Sequence, residues 1–290
     1  MGTRRVPHPA ADGRRTAAPA RAVRLTRRAL GAVGALLLAS TALAQTESQV
    51  TLTRKDTTIV VTLKAQYADG ARFIGNNPNC QTGERQTLLY GPAPGYVDTR
   101  VGKDTELRSN VAIVLTPEQA AGTNAAGEDQ TLELYDGTVT LDRPGCIGSE
   151  QRTKAPSVTL VQGRTTVRGT RFFLDQGSDT GTMDGPIELV RAAAGDSPAL
   201  TASADSMRFD TQTRHATLMG NVKVTSQDRV TTADSLELDE AAGVALLAGS
   251  PARSTQGSDV LEGSRLRYYL NNNDVVVLGG VHGDLDVSIP

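Results

Sequence analysis

The chain has 290 residues, with six Tyr, four Phe, no Trp and two Cys, and it carries 30 basic against 32 acidic side chains. Eight of the Arg and a single acid, Asp12, fall in the first 44 residues, so the remainder holds 22 basic and 31 acidic groups and is acidic. An acidic body excludes nucleic acid as a partner, because neutralising phosphates takes a basic face. A hydrophobic content of 38% with so few aromatics favours thin β layers over one thick globule.

Residues 1–44 read as an export signal: a basic, Ala/Pro-rich stretch to Arg28, an apolar run over 29–43, and small residues at the −3 and −1 positions of Ala42-Leu43-Ala44, with cleavage before Gln45. The run is shorter than the roughly 20 residues of a membrane span, although the same segment left uncleaved would serve as an anchor. Thr26-Arg27-Arg28-Ala29-Leu30 resembles a twin-arginine export motif, which leaves the route open between that and general secretion. The expected location is periplasmic. Export supplies an oxidising compartment, and the two thiols, Cys80 and Cys146, both sit in turn-like sequence, so a disulfide between them is expected. Two Cys without neighbouring His do not make a zinc site.

From 45 to 167 the chain is β-rich with long loops. Ile59–Leu63, Val111–Leu115, Leu132 and Leu134, and Val158 and Leu160 have strand chemistry, interrupted at 76–84 and 91–95. Pro117–Ala126, capped by Thr116, has no apolar face and reads as a surface loop or at most one turn. Asp136-Gly137-Thr138-Val139 reads as a degenerate copy of Gly220-Asn221-Val222.

From 168 to 290 an internal repeat of about 30 residues stands out. Ala204-Asp205-Ser206-Met207-Arg208-Phe209-Asp210 leads to Gly220, and Ala233-Asp234-Ser235-Leu236-Glu237-Leu238-Asp239 leads to Gly249. Weaker copies run from Phe172 to Gly185 and from Gly263 to Gly279. A fixed period marks units that bury their apolar face by stacking on neighbours. Each unit reads as a hairpin whose second strand ends at Gly. Parity places Ala216, Leu218, Val222, Val224, Val230, Leu236, Leu238, Ala245, Leu247, Leu266, Tyr268, Val275, Val277 and Val281 on one face, with Arg208, Lys223, Glu237, Arg265 and Arg267 opposite. A sheet of this kind either curls around a filled core or bends around an apolar trough. Parity alone fits both.

The series Ala-Asp-Ser, polar turn, then Gly220-Asn221-Val222-Lys223-Val224 resembles the OstA-like proteins, the LptA family of lipopolysaccharide-export bridges, best over 171–283. That resemblance implies an all-β fold, an open β-jelly roll of tandem hairpins, and the roll is expected to be continuous with the preceding part of the chain. It also implies an interior that shields lipid acyl chains, and partners of similar fold at the inner and outer membranes, with head-to-tail self-association through edge strands. The interior positions it assigns to lipid are Phe172, Leu174, Met207, Phe209, Leu218, Val222, Val224, Leu236, Leu238, Leu247, Leu266, Tyr268 and Val277.

No enzyme signature competes with this reading. His215 and His282 stand alone on strands without ligand spacing, and Gly283-Asp284-Leu285-Asp286 lacks most of a calcium loop. The sequence holds no Gly-x-Ser-x-Gly, phosphate loop or dinucleotide fingerprint. The expected function is non-enzymatic and cofactor-free: an exported protein that carries acyl chains of lipopolysaccharide or another envelope lipid toward the outer membrane. The alternative is a closed-core envelope scaffold or polysaccharide-contact protein.

Overall fold

The computed structural model describes residues 48–54, 57–64, 70–78, 84–116, 130–143, 146–210, 213, 215–239, 242–280 and 282–284. The export segment, the loop at 117–126, Cys80 and Val281 lie outside the described residues, as does the side chain of Cys146, so the expected disulfide does too. Gln45–Pro290 is one compact unit.

Every described element is a β-strand, and the sequence dictates this through short Val/Thr/Leu/Ile runs separated by Gly, Asn and Asp. In chain order they are β1 (Ser48–Arg54), β2 (Thr57–Lys64), β3 (Arg72–Pro78), β4 (Arg85–Tyr90), β5 (Tyr96–Val101), β6 (Thr105–Ser109), β7 (Val111–Thr116), β8 (Thr131–Tyr135), β9 (Gly137–Arg143), β10 (Cys146–Arg152), β11 (Val158–Gln162), β12 (Thr165–Gly169) and β13 (Arg171–Asp175). The longer β14 (Thr180–Arg191), β15 (Leu200–Asp210), β16 (Ala216–Ser226), β17 (Arg229–Asp239), β18 (Val244–Gln256) and β19 (Asp259–Tyr269) follow, and β20 (Val275–Gly279) and β21 (His282–Asp284) end the series.

All the pairings are antiparallel, and they define two layers that share the long strands. One layer runs β1-β2-β5-β6-β11-β12 and continues through one half of each strand from β14 to β19. The other runs β3-β4-β7-β8-β13 and continues through the other halves. β14 makes the division plain, since Thr180–Asp184 pairs with β13 while 188–191 pairs with β12. The inward side chains of both layers form one continuous core, including Val61, Leu107, Leu134, Phe172, Leu218, Leu247 and Leu266.

Each long strand turns a corner in its middle, where its register slips. The strands therefore run through the glycines at which the sequence predicted they would end. At Gly220-Asn221 both residues have positive φ, at 77° and 46°, and inward parity is kept from Leu218 to Val222. At Ala-Asp-Ser the parity flips: Ala204 points in and so does Met207, and Ala233 points in and so does Leu236. Val230 is consequently not on the apolar face, and Thr231 and Ala233 take the inward positions. The extra residues lie in the partner strands: Met219 and Val222 pair with Ser235 and Ala233, so the Ala-Asp-Ser strand crosses the corner with one residue fewer than its neighbour and exchanges its faces there. The corners are stitched to one another, with Asn221 Nδ2 donating to Asp205 Oδ2 at 2.7 Å.

In the first half the corners fall between strands. Gly91–Gly95 separates β4 from β5, Asn110 separates β6 from β7, Asp136 separates β8 from β9, and Thr170 separates β12 from β13. The Asn110 side chain donates to the Gly137 carbonyl and accepts from the Gly137 N–H, both at 2.8 Å, standing in for a ladder pair that the corner interrupts. The β9–β10 hairpin leaves the two layers, and its Val139 packs on an outer cluster of Leu88, Val111, Ile113 and Tyr135. Burial on both faces is why the run from Val111 to Val114 is apolar at every position instead of alternating.

Candidate functional site

Two of the corner strands carry inward residues to the free tips of one layer. After the Ala-Asp-Ser corners, β15 presents Met207 and Phe209 and β17 presents Leu238, all buried. Facing them across the interior are Leu160 on β11, Val167 on β12 and Leu189 on β14, on the other layer. Between these two sets lies a cavity of about 440 Å³. Its rim is polar and comes from turns: Asp104, Gly163, Arg164, Thr213, His215 and Asp239. His215 Nδ1 lies 3.6 Å from Glu237 Oε1 with both side chains half exposed, so this His sits at the surface end of its strand. An aliphatic lining with a mixed-charge rim suits a flexible apolar chain whose head stays in water, since apolar burial is non-directional.

Of the residues assigned to the interior from sequence, Met207, Phe209 and Leu238 line this cavity. Phe172, Leu174, Leu218, Val222, Val224, Leu236, Leu247, Leu266 and Tyr268 are buried in the shared core away from it, and Val277 is only partly buried against that core. Burial raises the pKa of the Tyr268 hydroxyl, which donates to Asn273 Oδ1. Arg208, Lys223, Glu237, Arg265 and Arg267 all face water. Sequence reading did not assign Leu160, Val167 and Leu189 to the site. Val158-x-Leu160 alternates visibly, but β11 and β12 carry no period that would tie them to the repeats, and Leu189 lies beyond Gly185, where the sequence ended its copy.

A second, polar cleft of about 640 Å³ lies outside the core, beside the Asn110 and Asp136 corners and the β9–β10 hairpin. Its two guanidinium groups are already engaged. Arg108 pairs with Glu106 at 2.7 Å and lies over Tyr96, while Arg152 pairs with Glu133 at 2.7 Å and Glu150 at 3.1 Å and lies over Tyr135. Burial and the neighbouring Glu150 carboxylate push the Tyr135 hydroxyl well above the ordinary tyrosine range, so it stays neutral. Among the described residues no group of three or more His, Cys, Asp or Glu is placed to hold a metal ion. No helix among them is long and apolar enough to cross a membrane.

The structure is an antiparallel all-β roll with one apolar interior and an opening between its layer tips. The chain belongs to a particular family of such β proteins. The model for the LptA/(LptD N-terminal domain) LPS transport protein family matches residues 95–244. The match begins before Arg171, where the sequence repeats first become readable, and ends before the last of them, so it takes in β5 to β13 as well. Among solved structures, LptH from Pseudomonas aeruginosa, described as the LptA homologous periplasmic component of the lipopolysaccharide transport device, is 11% identical. That alignment covers 64% of this chain and 96% of LptH at a TM-score of 0.29, a likeness too slight to add to the assignment. No curated protein matches the chain.

Proposed function

We propose that this chain is a non-enzymatic periplasmic protein that shelters acyl chains of lipopolysaccharide, or of a related envelope lipid, on the way to the outer membrane. The observation that carries this reading is the cavity walled by Met207, Phe209 and Leu238 on one layer and Leu160, Val167 and Leu189 on the other. An acyl chain entering it exchanges water for aliphatic walls at about 25 cal/mol per Å² buried. None of the contacts is specific, so the chain slides once inside. Direction then comes from energy-consuming partners, and docking to components of similar fold, or to further copies of itself, uses edge strands. β1 and β3 lie at one end of the layers, and β20 and β21 at the other. Among the described residues β20 pairs only with β19, and it turns the exposed Val276 and Leu278 outward.

Native mass spectrometry of the protein purified from its own envelope tests this, with extraction and identification of whatever is bound. A stoichiometric acylated ligand is expected. Ala216→Phe, which fills the cavity without adding charge, should abolish loading while circular dichroism stays unchanged. Leu238→Glu should do the same by placing a carboxylate on the wall. Full loading of a folded Ala216→Phe protein would refute the assignment of this cavity. The reading as a filled scaffold or polysaccharide-contact protein draws its support from the continuous packing of the remaining core. It predicts a protein that stays free of lipid and does not take up a fluorescent fatty acid.

A further inference from the structure

Beside the cavity, the tips of the two layers are joined by hydrogen bonds next to the buried side chain of Leu270. Ser197, on the loop between β14 and β15, donates from Oγ to the Leu270 carbonyl at 2.7 Å, across to the turn between β19 and β20. Asn273 on that turn reaches back with Nδ2 to the Ser226 carbonyl at 3.5 Å and to Gln227 Oε1 at 3.3 Å. Each side of the clasp is braced within its own layer. Arg191 and Arg164 both donate to Ser197 Oγ, at 3.0 and 3.2 Å, and the Leu270 N–H donates to the Gly243 carbonyl at 2.9 Å.

The clasp and the cavity adjoin. Arg164 belongs to both, and Leu189, which lines the cavity, is followed two residues later on the same inward face by the clasp residue Arg191. Arg191, Ser197, Ser226 and Asn273 are buried, so the slit ends at this point in a polar seam where its walls elsewhere are aliphatic. The bonds that cross between the layers are neutral, so water replaces each one that parts, and the apolar cost of opening is confined to the Leu270 side chain, where a wholly apolar seam would expose its entire area. A cavity of about 440 Å³ has room for one acyl chain and not for several.

We infer that the Ser197–Leu270 and Asn273–Ser226 contacts form a gate. Closed, it limits the cavity to a single chain; open, it joins the cavity to the β19–β20 end of the interior and admits a lipid with several chains. This inference rests on the acyl-carrier reading and names how that site is regulated.

The test compares the wild type with the Ser197→Ala/Asn273→Ala double variant, using cis-parinaric acid as a one-chain probe and purified lipopolysaccharide as a many-chain one. The variant should take up lipopolysaccharide about tenfold faster, as expected when neutral bonds across the seam are lost, and bind parinaric acid as the wild type does. Hydrogen exchange in the wild type should rise at 192–199 and 270–274 on adding lipopolysaccharide and stay constant with parinaric acid. That second measurement decides the matter if the variant does not fold. Equal lipopolysaccharide uptake by two folded proteins, or loading with both tips still protected, would overturn the gate. Failure of the wild type to bind parinaric acid would overturn the carrier reading itself, and the gate with it.

Discussion

The two halves of the roll solve one geometric problem in different ways. Both must carry a strand from one layer to the other around a corner. From β14 to β19 the strand continues through the corner, with a Gly-containing bulge in one strand set against Ala-Asp-Ser in its neighbour. From β4 to β13 the strand breaks, and polar side chains such as Asn110 take over the hydrogen bonds that the break leaves open. A bulge needs the same small residues every time and therefore repeats in sequence. A side-chain patch can be built from different residues at each corner, and it leaves no period.

The largest effects test whether the halves are energetically one body. Leu107 and Leu247 are both fully buried, one in each half. Leu107→Ala and Leu247→Ala should each lower the same single unfolding transition by about 2–5 kcal/mol. Two separate transitions in urea, each sensitive to one variant, would break the comparison.

Next come the corners themselves. A Cβ on Gly185 would sit 2.1 Å from the Asp205 carbonyl oxygen, whereas one on Gly102, in a hairpin turn with φ of 61°, meets nothing within 4 Å. Gly185→Ala should cost about 1–3 kcal/mol from overpacking and Gly102→Ala only about 1 kcal/mol from its backbone conformation. Thermal denaturation of the pair ranks them, and a reversed order would mean that the bulge yields more readily than the turn. In the other half, Asn110→Ala strands the N–H and carbonyl of Gly137 and should cost about 1–3 kcal/mol. Asn221→Ala removes one exposed bond and puts Ala at a φ of 46°, and should cost less, about 1 kcal/mol. Equal losses would erase the distinction between the two kinds of corner.

The smallest effect is a dependence on pH that belongs to the first half. Burial, with the Glu106 carboxylate adding to it, raises the pKa of Asp98 above its ordinary value despite Arg100 at 3.2 Å. The folded state then holds this proton more tightly than the unfolded state. Asp98 therefore makes stability fall as pH rises from the ordinary aspartate range through its raised folded value. Asp98→Asn should flatten that slope and leave the protein slightly more stable at neutral pH, measured by urea denaturation between pH 4 and 7. An unchanged slope would place the titration elsewhere.

Strand chemistry, the alternation of Met207, Phe209, Leu218, Leu236 and Leu238, and the period of the second half were all legible in the sequence, because each depends on local spacing. So was the family, through the Ala-Asp-Ser and Gly-Asn-Val elements that turn out to be corners. Where parity reading failed, at Val230, the cause was the corner at Asp234-Ser235, where the strand exchanges its faces against longer partner strands: alternation carries no record of such a corner. Only the tertiary structure decided which interior residues border open space. Leu160, Val167 and Leu189 meet Met207, Phe209 and Leu238 through pairings between strands distant in the chain. The Ser197–Leu270 contact spans 73 residues. A sequence states which side chains leave water. Whether they then meet each other or enclose a gap is set by the separation of the two layers, which is fixed where the tips come together and not by any one strand.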